Sequence, residues 1–142
     1  MEIAERNYHL RLQEMCDCYM ETDFEKQLEA MVASGAGDIE ENGVKYLSLA
    51  IMYSLTKRAR KLSFKKKDGE ITVVAKADNT FNLPAPGPEL FEKVVEIVRN
   101  ILHIEADKGE MALALGLRSG DIELQVKVKR KPDKETVKIK FP

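Results

Sequence analysis

The sequence predicts an α+β domain, with helices first and then a largely antiparallel sheet. One long helix is expected to lie over the sheet's dry face. Three observations carry this reading. Residues 84–104, PAPGPELFEKVVEIVRNILHI, hold the clearest helix signal in the chain. Runs with two-residue alternation precede it (residues 61–76) and follow it (residues 111–141). Short turn signals separate those runs, which joins neighbouring strands antiparallel.

The elements follow in order. Tyr8, Leu12, Met15 and Tyr19 recur at helical spacing and predict a helix over residues 3–20. Thr22 and Asp23 interrupt it as capping residues, and Phe24, Leu28, Met31 and Val32 mark a second short helix. Ser34-Gly35-Ala36-Gly37-Asp38 is the best linker signal in the chain. It divides an acidic helical segment (residues 1–33) from an α+β domain (residues 44–142), the two expected to pack as one unit. A third helix is predicted over residues 44–60, with Val44, Leu47, Ile51 and Leu55 in one row and a basic C-terminal end.

Leu62 and Phe64 then alternate with Ser63 and Lys65, Lys67-Asp68-Gly69 turns the chain, and Ile71 and Val73 alternate with Thr72. Val74 breaks that alternation. Thr80–Leu83 reads as a short edge strand. In the long helix Gly87 stands at the N-cap and Pro88 at the first helical position, where its missing N–H costs nothing. Leu90, Phe91, Val94, Val95, Ile97, Val98, Ile101 and Leu102 form one broad apolar stripe. Glu89, Glu92, Lys93, Glu96, Arg99 and Asn100 fall opposite it, with Glu89 and Lys93 spaced as an ion pair. Glu105–Gly109 reads as a loop. A three-stranded meander follows, with bulky Met111, Leu113, Leu115 and Leu117, then Ile122, Leu124, Val126 and Val128, then Val137, Ile139 and Phe141 on its dry face.

The 142 residues suit one domain. No run approaches the roughly 20 apolar residues of a membrane span, and the acidic N-terminus is unlike a secretory signal. Two cysteines make no disulfide framework, so a cytoplasmic protein without membrane insertion is expected. The net charge of −1 hides an asymmetry. Residues 1–43 hold 11 acidic and 3 basic side chains, net −8, and residues 44–142 hold 13 and 20, net +7. Opposite charges of this size predict attraction between the two parts, within one fold or between subunits of a homo-oligomer.

From the third helix onward the layout resembles the small domain that precedes the ATPase core in type II secretion and type IV pilus assembly ATPases. The matching stretches are YLSLAIMYSLTKRARKLSFKKKDGEITVVAK, NLPAPGPELFEKVVEIVRNIL and SGDIELQVKVKRKPDKETVKIKF, together about residues 44–142. The resemblance implies a helix, a hairpin, a helix beginning near a Leu-Pro, and a final meander. Family members carry an Asp-Ile-His-type motif on the first strand, where this chain has Lys61-Leu62-Ser63-Phe64. They carry arginines on the second strand and a basic turn before the meander, where it has Ile71-Thr72-Val73-Val74 and Asp107-Lys108-Gly109-Glu110. No G-x-x-x-x-G-K-S/T pattern occurs, so the ATPase core is missing and no site residue of the family carries over.

Little else suggests chemistry. Cys16 and Cys18 point about 200° apart on a helix and cannot share one ion easily. His9 and Cys16 share a face, but zinc needs two more ligands, and His103 is the only other histidine. His103 ends the long helix, where it suits the dipole. No nucleophile motif accompanies it, so no catalytic residue, metal or cofactor is expected. Lys127, Lys129, Lys138 and Lys140 project from the meander's wet face, with Lys61 and Lys65 as neighbours, and form the one candidate surface for an anion. No aromatic residue is interleaved to stack bases, which disfavours nucleic acid. The sequence therefore predicts a non-catalytic protein–protein interaction module, with nucleic-acid binding through the lysine face as the alternative.

Overall fold

The computed structural model describes residues 8–18, 23–34, 38–117 and 120–142. Three helices come first: α1 (Tyr8–Cys18), α2 (Phe24–Ser34) and α3 (Ile39–Thr56). Asp23 accepts a hydrogen bond from the Lys26 N–H (3.1 Å) and so caps the start of α2, as its position predicts. Residues 3–7, 19–22 and 35–37, where the sequence places helix ends and the linker, lie outside the described residues.

The third helix departs from expectation at both ends. It begins at Ile39 rather than Val44, because Asp38 caps it by accepting from the Glu40 N–H (2.9 Å) and two acidic residues fill its first turn. It ends at Thr56, and Arg58 then takes a left-handed conformation (φ 56°). Gly43 therefore lies inside the helix. A Cβ there would stand 2.7 Å from Ile97 Cδ1 and 2.9 Å from Lys93 Cγ. Glycine is what lets α3 approach its neighbour this closely.

The strands are β1 (Lys61–Lys67), β2 (Glu70–Lys76) and β3 (Thr80–Leu83) before the long helix α4 (Pro88–Leu102). After it come β4 (Lys108–Leu117), β5 (Gly120–Lys131) and β6 (Lys134–Lys140). They form one antiparallel sheet in the order β3-β2-β1-β6-β5-β4. The fold is α+β, as the sequence predicts. The hairpin and the meander join where β6 pairs with β1, from Lys61 opposite Lys140 to Lys67 opposite Lys134. The two hairpin turns thereby meet, and the Asp68 N–H donates to the Asp133 carbonyl (3.0 Å).

Phe64, Leu62, Val73, Leu124, Val126, Val128, Val137 and Ile139 are buried on the dry face. Two helices supply the other half of this core. α4 contributes Phe91, Val94, Ile97 and Val98. α3 is the more enclosed of the two: from Gly43 to Ser54 every residue except Lys45 is buried. It touches α1, α2, α4 and β1. The molecule is thus built around α3 at least as much as around the more legible α4. The Ser48 and Ser54 hydroxyls donate back to the Lys45 and Ala50 carbonyls, which makes their burial tolerable.

α4 begins at a Gly87 N-cap with Pro88 at its first position, as predicted, and stops at His103 in the left-handed conformation (φ 56°, ψ 41°). Its polar face differs from expectation at two places. Lys93 pairs with Glu96 (3.2 Å) rather than with Glu89. Arg99 turns inward and is buried, donating to the carbonyls of Ala106 (2.6 Å) and Asp107 (3.2 Å). The loop after α4 is folded back onto the arginine, which ties it to the helix end.

Candidate functional site: the lysine-lined sheet face

Strand parity decides which side chains share a face, and ladder register decides which stand side by side. On β1 the core takes Leu62 and Phe64, so Lys61, Ser63, Lys65 and Lys67 point the other way. Their partners on β6 are Lys140, Lys138, Thr136 and Lys134. The next strand places Gln125, Lys127, Lys129 and Lys131 of β5 beside those same four. On the other side, β2 adds Lys76, Val74, Thr72 and Glu70. The far edge adds Lys108 and Glu110 of β4, opposite Lys129 and Lys127.

The four lysines singled out from the sequence, Lys127, Lys129, Lys138 and Lys140, therefore project from one face, together with Lys61 and Lys65. Lys67, Lys76, Lys108, Lys131 and Lys134 belong to the same face and were missed by sequence reasoning. Lys131 and Lys134 form the last ladder pair of the β5–β6 hairpin. Continuing the two-residue parity of β5 through to its end would have found Lys131. Val74, which breaks the pattern of β2 in sequence, is simply an apolar residue on this polar face.

The middle of the face is a trough of about 340 Å³. Short side chains (Ser63, Thr72, Val74, Thr136) line its floor, and lysines of four strands wall it. No ion pair among the described residues involves any lysine of this face. The ammonium of Lys129 is held below the usual lysine range, first by Lys131, then by desolvation, and further by Lys108, Lys134 and Lys127. Like charges with nothing between them repel, and that cost persists until an anion arrives. No aromatic side chain stands on this face among the described residues, because Phe64 and Phe81 both point into the helical layer and pack edge-on against Tyr46 and Tyr53.

Among the described residues, the acidic helices do not neutralise it. α1 packs on α3 and alongside β4, burying Tyr8, Leu12 and Cys16. Exposed Glu14, Glu29 and Glu41 belong to the helical layer, across the core from the lysines. Within the described residues no ion pair joins these helices to the lysine face. α1 instead seals the outer edge of β4: His9 bonds the Ala114 carbonyl, and Gln13 Oε1 accepts from the Gly116 N–H (2.7 Å).

The remaining candidates stand apart from one another where their side chains are described, and that of Cys18 lies outside the described side chains. Cys16 is fully buried. His9, expected on its face, is exposed and engaged with β4. His103 is exposed at the helix end. Among the described residues no group of three metal-ligating side chains converges, and no helix is long and apolar enough to cross a membrane. No protein-family model matches the chain, and no curated protein matches it.

Proposed function

We propose that this protein is a non-catalytic interaction module that binds an acidic protein segment through the lysine face of its sheet. One observation carries the reading. The ladder register gathers lysines from β1, β2, β5 and β6 onto a single open face that has no ion pair among the described residues. Lysines are flexible point charges that form no fixed bidentate geometry, and they suit a partner recognised by charge density. Such a role fits the accessory character that the resemblance to a secretion-ATPase domain implies, without nucleotide chemistry.

Nucleic acid is the competing polyanion. The face can neutralise phosphates, but it offers no ring on which a base could stack. Titration of a labelled glutamate-rich peptide and a labelled single-stranded oligonucleotide, each at low and high salt, separates the two. The peptide is expected to bind at low salt, to weaken as salt rises, and to lose binding when Lys127, Lys129 and Lys138 are all replaced by glutamate. Tighter binding of the oligonucleotide than of the peptide overturns the protein reading. Absence of any binding at low salt overturns the use of this face altogether.

A further inference from the structure

At the centre of the lysine face stands one small hydroxyl, that of Thr136. The residue is only 8% exposed, yet it lines the trough. Among the described residues its hydroxyl has no hydrogen-bond partner. Its neighbours on the face follow from the register. Lys65 and Lys129 flank it on the adjacent strands. Lys134 and Lys138 precede and follow it along β6 at two residues' distance. At the four diagonals stand Ser63 and Lys67 on β1, and Lys127 and Lys131 on β5. Seven of the eight positions around Thr136 are lysine, and the eighth is serine.

This arrangement is a well. Adjacent strands lie about 4.8 Å apart and same-face residues along a strand about 6.7 Å apart, so every one of these ammonium groups can lean over the centre. The floor is short and hydroxylic, while the rim is long and cationic. A carboxylate would bring one negative charge and two oxygens to it. A phosphomonoester brings roughly −1.5 to −2 charges and three strong acceptor oxygens, and can take a hydrogen bond from the floor as well as several from the rim.

We propose that Thr136 and its ring of lysines form a binding well for a phosphoryl group carried on the acidic partner segment. This rests on the reading that the lysine face binds such a segment, and it names the chemistry at the centre of the contact. The Thr136 hydroxyl has no partner among the described residues and lines the trough, so it is free to donate to whatever occupies the trough. The depressed Lys129 ammonium accords with a site whose charge is balanced only when occupied.

The test uses the full chain and three peptides of one glutamate-rich sequence, followed by fluorescence anisotropy. One is unmodified, one carries a central phosphoserine, and one replaces the phosphoserine with glutamate and adds a second glutamate to match its charge. The phosphopeptide is expected to bind roughly tenfold tighter than the charge-matched peptide, a preference of the size one added charge-assisted hydrogen bond confers. Thr136→Val keeps the side-chain volume and removes only the hydroxyl. It should bring phosphopeptide affinity down to the level of the charge-matched peptide bound by the same variant and leave the melting temperature unchanged. Thr136→Ser should keep the preference. Inorganic tripolyphosphate should displace the phosphopeptide at lower concentration than sulfate does. Equal affinity for phosphorylated and charge-matched peptides, or a preference that survives Thr136→Val, overturns the phosphoryl well while leaving the acidic-partner reading standing. Failure of all three peptides to bind overturns that reading as well.

Discussion

Arg99 shows how a single residue can leave the role its sequence position suggests. It falls on the polar side of α4, and helical periodicity alone would put it in solvent. Instead its guanidinium holds the loop at residues 104–107 through three backbone carbonyls, with Nε left unpartnered. Arg99→Ala should therefore cost about 2 kcal/mol, because it removes the charge-assisted hydrogen bonds that pin the loop to α4, and denaturant titration would measure it. A loss below about 0.5 kcal/mol would mean that the loop holds itself. The tyrosines make a second prediction at this scale. Burial first, and then the hydrogen bond to Glu40 (3.0 Å), push the Tyr8 phenol from 10.0 up to about 12. Burial likewise raises Tyr46, whose hydroxyl donates to the Pro84 carbonyl (2.6 Å). A phenol whose folded pKa exceeds its unfolded value stabilises the fold fully below the unfolded value. That contribution is lost as pH rises from 10.0 towards about 12. The melting temperature should fall over this window, and Tyr8→Phe should fall less steeply. Equal slopes for the two proteins would refute the assignment.

Between elements, the decisive contact is the crossing of α3 and α4. Gly43 is the residue that allows it, since any side chain there meets Ile97 and Lys93. Gly43→Val should cost about 2 kcal/mol through overpacking, even though glycine is itself a poor helix former. An unchanged stability would show that α4 can slide away freely. Val94 lies on the opposite kind of surface, fully buried in the stripe that the sequence predicts. Val94→Asp places an unpaired carboxylate in the core and should cost about 4 kcal/mol or more, enough to unfold a domain of ordinary stability. Circular dichroism would show this directly. Much at this scale was legible. The alternation of Leu124, Val126 and Val128 with Gln125 and Lys127 announces a strand with one dry face. The N-terminus of α3 was less legible, because Gly43 breaks the pattern in sequence while tertiary packing requires it.

The whole molecule is charged differently on its two layers. Glu14, Glu29 and Glu41 face outward on one side, lysines of β1, β2, β5 and β6 on the other, and the apolar core keeps them from meeting. Self-repulsion among the lysines should make the fold more stable as salt rises through the physiological range, because the ions screen exposed like charges. Lys129→Glu should raise the melting temperature at low salt and lessen its dependence on salt, since it removes the centre of the repulsive cluster around Lys131, Lys108, Lys134 and Lys127. A melting temperature that falls with added salt would mean that attraction, not repulsion, dominates the surface.

Local chemistry determined a great deal without any tertiary information. Asp23, Gly87 and Pro88 fix where helices begin, because capping needs only near neighbours. Two-residue alternation assigns each strand a dry and a wet side, because the pleat does so for any chain. That was enough to put Lys127, Lys129, Lys138 and Lys140 on a common side of the meander. Only the fold decided that β6 pairs with β1, since strand pairing over some seventy intervening residues leaves no local trace. That one ladder brings Lys65 and Lys67 beside Thr136 and Lys134. It turns four scattered lysines into a continuous cationic face with a hydroxyl at its centre.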